Sequence, residues 1–137
     1  MESKKKWIWI SAAIVAAVLG WNMYQSQGVP IIEKGSLREI IYVRDYRQGY
    51  EDMADVTERI DGEKLEELLE TYQRRRGGPS ITSVWLGDVQ IDMFIRTIDD
   101  SYEVILGNEN HVSDGRKQYE IIDSDALLTE ILALIDE

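Results

Sequence analysis

From Trp7 to Tyr24 the chain runs for 18 residues without a charge, directly after Lys4-Lys5-Lys6. As a helix rising about 1.5 Å per residue, this stretch spans roughly 27 Å, close to the roughly 30 Å hydrocarbon core of a bilayer. Its one strongly polar interruption, Asn22, lies near the far end. Trp7 and Trp9 stand at one end, Trp21 and Tyr24 at the other, as two interfacial aromatic belts require. A cleaved signal peptide needs small residues just past its apolar run, and neither Val18-Leu19-Gly20 nor Ser26-Gln27-Gly28 makes a good site. The segment 1–27 therefore reads as an uncleaved signal anchor that contacts the lipid bilayer through residues 7–24. Cleavage and secretion are the alternative. The lysines place the N-terminus in the cytoplasm and everything from about residue 25 outside, in a single-pass arrangement.

What remains is one domain of about 110 residues, enough for a single core. Of 15 basic and 26 acidic residues, Lys4, Lys5, Lys6 and Glu2 belong to the anchor, which leaves 12 against 25 and a net charge of −13. A field of that sign repels nucleic acid and attracts cations or basic proteins; it also keeps a domain soluble with no further role. The absence of cysteine removes disulfides, thiolate catalysis, Cys-based zinc sites and a lipid-modified cysteine.

Residues 28–36, with Gly28, Pro30 and Gly35, read as a tether before a domain over 37–137. Leu37–Tyr46 is β-rich with apolar groups on both faces, Leu37, Ile41 and Val43 on one and Ile40, Tyr42 and Tyr46 on the other. Residues 47–61 read as a loop with a short edge strand at Val56–Ile60. Over Asp61–Arg76, Leu65, Leu68, Leu69 and Tyr72 form a helical stripe. Asp61 caps its start and Gly77-Gly78-Pro79 stops it; Arg74–Arg76, which as a functional patch would bind anionic headgroups or an acidic partner, read as completing its dipole. Ser80–Leu86 predicts a strand. Val89, Ile91, Met93 and Ile95 then alternate with Gln90, Asp92 and Arg96, a half-buried strand. Tyr102, Val104 and Leu106 share one side of the next. The connection Gly107–Arg116 leads to Gln118–Ile122, and Asp123-Ser124-Asp125 opens a closing amphipathic helix. The expected fold is α+β: an N-terminal transmembrane helix, then a two-layer sandwich of a mainly antiparallel four- to five-stranded sheet with two helices.

The sequence offers no recognisable catalytic residue, cofactor site or metal site. His111 is the sole histidine, and the loop from Asn108 to Asp114 lacks the ligand spacing of a calcium loop. No serine has a nucleophile-elbow context and no glycine run precedes a phosphate-binding lysine. Asp99-Asp100 and Asp123/Asp125 sit where turns and caps favour aspartate. An enzyme of unrecognised type would have to use residues such as Asp92, Glu103 or His111. Trp85 either joins the core beside Val84 and Leu86 or stands opposite as an exposed anchor, the weakly apolar face at Ile81 and Ser83 favouring the core.

The lysine-flanked apolar start, the cysteine-free acidic domain, the helix KLEELLETY and the closing QYEIID and LLTEILALI resemble small uncharacterised signal-anchored extracytoplasmic proteins of Gram-positive bacteria. The resemblance implies location and fold and carries no catalytic residue. The expected function is a membrane-tethered binding or interaction module for an unidentified protein partner, with Gln90, Asp92, Phe94, Arg96 and, where exposed, Trp85 as its surface. An acidic immunity or inhibitor protein acting on a basic toxin or enzyme is the alternative.

Overall fold

The strictest alternation in the chain, residues 89–97, forms the middle of its sheet. The computed structural model describes residues 2–78 and 88–137, in the order α1 (Glu2–Ser26), β1 (Gly28–Pro30), β2 (Leu37–Asp45), β3 (Ala54–Asp55), α2 (Gly62–Thr71), β4 (Gln73–Arg75), β5 (Val89–Thr97), β6 (Ser101–Gly107), β7 (His111–Ser113), β8 (Gln118–Glu120) and α3 (Ser124–Ile135). The predicted strand Ser80–Leu86, and Trp85 with it, lies outside the described residues.

Among the described residues all pairings are antiparallel. A six-stranded sheet runs β3-β2-β5-β6-β7-β8, and β1 pairs with β4 in a separate two-stranded ribbon, so the sheet is larger than the four to five strands expected. The additional strands β1, β3, β4 and β7 are two or three residues long, too short for alternation to register in a sequence. Position 56–60 is not the edge strand: β3 precedes it, and Val56 and Ile60 anchor a turn in the core. His111–Ser113, expected within a loop, is a strand paired on both sides, with Val112 fully buried.

One face of the sheet carries the core. Val43, Ile91, Met93, Ile95, Val104, Leu106 and Val112 meet Leu65 and Leu69 of α2 and Leu127, Ile131 and Ile135 of α3. Each fully buried aliphatic side chain contributes about 1.5–3 kcal/mol. Residues 28–36, read as a tether, carry β1 and two members of this core, Ile31 and Ile32. In β2, strict alternation misassigns the faces. Register shifts between Leu37 and Glu39 and between Ile40 and Tyr42 bring Leu37, Ile40 and Val43 to the core side, and Ile41 is exposed. A bulge inserts one residue and so inverts the parity of everything beyond it.

Asp61 caps α2 as expected, its Oδ1 accepting from the amides of Glu63 and Lys64 at 3.0 and 3.2 Å. Asp123 does not cap α3 through its side chain: its backbone is left-handed (φ 55°) and only its carbonyl accepts, from the Leu127 amide at 3.1 Å. The far end of α3 is held by arginines. Arg59 Nη2 donates to the Ile135 carbonyl at 2.9 Å, and Arg47 donates to both Asp45 and Asp136, at 2.7 and 2.8 Å.

α2 ends at Thr71, five residues short of the expected Arg76. Tyr72 is already extended, and the carbonyls of Tyr72 and Gln73 accept from the amides of Ile31 and Ile122. Pairing with β1 and with residues after β8 thus claims backbone groups that a longer helix would have used internally.

Candidate functional site

Antiparallel register lines up the outward-facing residues into rows across the sheet. One row is Arg44, Asp92, Ile105, His111 and Glu120; the next is Tyr42, Phe94, Glu103, Ser113 and Gln118; a third is Glu39, Arg96 and Ser101. Asp92, Phe94 and Arg96 therefore lie on one face, as the alternation of β5 predicted, with Gln90 at its end. The rows supply the neighbours that no single strand reveals: Tyr42 and Arg44 on one side of Asp92, Ile105, Glu103 and His111 on the other.

The centre of this face mixes aromatic surface with imperfectly compensated charge. Tyr42 and Phe94 stack with ring centroids 5.9 Å apart, and the Arg44 guanidinium lies 3.8 Å from the Tyr42 centroid. Arg44 stacks there rather than closing an ion pair with Asp92. Farther along, Arg96 pairs with Glu39 at 3.0 Å between two exposed side chains. Asp92 is different: it is half-buried, and among the described residues its Oδ1 has no hydrogen-bond partner. Burial, with the charge of Glu103 added, pushes its carboxyl up to about 6 against the pull of Arg44 and Tyr42. Burial likewise pushes the Tyr42 hydroxyl up to about 12, helped by Asp92 and Glu103. His111 is moved the other way, since burial disfavours its imidazolium more than Glu109 and Glu103 favour it.

Asp114 is occupied by the amides of Arg116 and Lys117 and the hydroxyl of Tyr119. Among the described residues no group of three or more His, Asp or Glu side chains is placed to hold a metal ion.

A second concentration of function-bearing side chains lies where α1 meets the domain. Arg74–Arg76 are expected to complete the dipole of α2, but Arg75 and Arg76 instead meet the last turn of α1, and Arg74 stacks on Tyr119. Arg75 Nη1 donates to the Ser26 carbonyl at 3.0 Å, the amides of Arg76 and Gly77 donate to Gln27 and Gln25, and Arg76 lies over the Tyr24 ring at 4.6 Å. Gly77 is required by this approach, because a Cβ there would stand 2.8 Å from the Gln25 side chain. The four aromatic anchor residues are all on α1 and all exposed, Trp7 at 69%, Trp9 at 76%, Trp21 at 59% and Tyr24 at 46%, with Arg76 the domain's contact to Tyr24. α1 is long and apolar enough to cross a membrane.

No family model, no curated protein and no solved structure matches the chain.

Proposed function

We propose that this chain is an acidic interaction module, tethered by α1 to a membrane with its N-terminus in the cytoplasm and residues from about 28 onward outside, and that its outer sheet face receives a cationic group from a basic protein. The tether rests on α1, whose apolar residues lie on all sides and are covered by no other element. A helix hydrophobic all round requires either a protein core or lipid about it. Lys4–Lys6 before the span set its direction.

The observation that carries the binding face is the unpartnered Asp92 Oδ1. A buried carboxylate oxygen without a donor costs free energy that an incoming guanidinium or ammonium recovers, and Glu103 in the adjoining row adds a second acceptor. The −13 charge outside the anchor steers such a partner from a distance. The same charge favours a second reading on the same surface, an immunity or inhibitor protein that neutralises a basic toxin or enzyme.

Binding of an arginine-rich peptide to the full chain in detergent tests the face. The double variant D92N/E103Q is expected to weaken it about tenfold or more, whereas E67Q/E70Q on α2, which removes equal charge elsewhere, changes it little. Equal weakening by both variants would reduce the effect to bulk charge and contradict the assignment. Affinity is also expected to fall as pH drops through about 6, because Asp92 takes up its proton there. His111 gains its charge on the acid side as well. An inhibitor of a basic enzyme would additionally abolish that enzyme's activity at stoichiometric ratio, which a docking module would not.

A further inference from the structure

At the foot of α1, a cavity of about 390 Å³ opens beside residues 29–32, walled by Arg74, Arg76, Glu33, Asp99 and Tyr102. Its depth relative to a membrane follows from two contacts. Arg76 Nη1 donates to the Tyr24 hydroxyl at 3.3 Å, and β4 pairs with β1 directly after the helix, Gly28 opposite Arg75. Tyr24 belongs to the outer aromatic belt, and three extended residues reach about 10 Å at most, so the cavity begins at headgroup level when α1 spans a bilayer. This step rests on the tether proposed above.

The charges in the cavity are not consumed by one another. Arg74 stacks on Tyr119 with its guanidinium carbon 4.1 Å from the ring centroid, donates through Nη1 to the Arg75 carbonyl at 3.0 Å, and leaves its buried Nε without a partner. Arg76 is exposed and held by Tyr24, and among the described residues neither Arg74 nor Arg76 closes an ion pair with Glu33 or Asp99. Two arginines and two acidic residues thus line one hollow without pairing across it.

We infer that this cavity binds the headgroup of an aminophospholipid, its phosphate against Arg74 and Arg76 and its ammonium against Glu33 and Asp99. The planar donors of arginine match phosphate oxygens, and carboxylates accept from a primary ammonium but find no N–H on a quaternary one. A zwitterionic headgroup also suits a domain whose −13 charge disfavours a strongly anionic surface. The site would fix the orientation of the domain on the membrane and so the direction in which the outer sheet face looks.

The full chain is reconstituted into nanodiscs of equal phosphatidylethanolamine and phosphatidylcholine, released with mild detergent, and its retained lipids are counted by native mass spectrometry. The wild-type chain is expected to retain phosphatidylethanolamine in preference to phosphatidylcholine. R74Q and R76Q each lower retention about tenfold, while R116Q, which removes a highly exposed arginine from a turn, does not. E33Q/D99N keeps phospholipid and loses the preference between the two. Because Arg76 is exposed, R76Q remains informative should R74Q fail to fold. Retention by R76Q equal to wild type overturns the site, as does stripping of the lipid by millimolar inorganic phosphate, which would make free phosphate the ligand. Failure of the chain to enter the discs at all would instead contradict the tether.

Discussion

The two faces of β5 are made by alternate residues of a single nine-residue strand, yet they obey opposite rules. Ile91, Met93 and Ile95 are fully buried against α2 and α3, and their cross-strand partners include Ile40, Val43, Val104 and Leu106, the one charged partner, Asp45 opposite Ile91, being paired with Arg47. Asp92 and Phe94, one residue away in each case, are half-buried among Tyr42, Arg44, Glu103 and His111, with a carboxylate oxygen left without a donor. A core face is optimised when every group is satisfied within the chain. A face that holds an unsatisfied acceptor beside stacked aromatic rings keeps interaction free energy in reserve for something outside it. Under the proposed function, stability belongs to one side of the sheet and recognition to the other.

That division predicts unequal responses to substitution. On the core side, Leu69→Ala removes a side chain with no exposure and should destabilise the fold by about 3 kcal/mol, read as a lower urea midpoint for the full chain in detergent. A loss under about 1 kcal/mol would mean that α2 does not close the core as described. On the outer side the sign reverses. The folded state raises the Asp92 carboxyl to about 6, so it binds that proton more tightly than the unfolded chain does. The resulting penalty is absent well below pH 4, grows as pH rises, and is complete above about pH 6. Asp92→Asn should therefore stabilise the chain by about 1 kcal/mol at pH 7.5, after allowing for the solvent that screens a half-exposed carboxylate, and by almost nothing near pH 4. Destabilisation by Asp92→Asn at pH 7.5 would make Asp92 a structural residue and erase the distinction between the faces.

The same contrast separates what was legible in the sequence from what was not. The core face was legible because it depends on period alone: 2.0 residues in β5 and β6, 3.6 in α2 and α3, each sustained long enough to read. The outer face was legible only within β5, where Gln90, Asp92, Phe94 and Arg96 follow from parity. Their partners come from registers set by two bulges in β2 and by the short strand β7, and neither bulge nor three-residue strand leaves a periodic trace. Tyr42, Glu103 and His111 thus looked unrelated along the chain. Arg74–Arg76 illustrate the complementary error. Sequence proximity assigns them to the C-terminus of α2, yet Arg75 reaches that of α1, some 50 positions earlier, because pairing between β1 and β4 outweighs the continuation of α2.

Both the recognition face and the cavity at the foot of α1 derive their meaning from where α1 lies. The most direct test is to express the full chain with a C-terminal tag in bacterial cells, fractionate them, and determine the mass and N-terminus of the recovered protein, with protease applied to intact protoplasts. A tethered, outward-facing domain gives an intact chain in the membrane fraction whose tagged part is digested from outside. A shortened chain in the medium, beginning near Trp21 or Val29, would contradict it and make this a secreted protein; an intact chain protected from the protease would reverse its orientation.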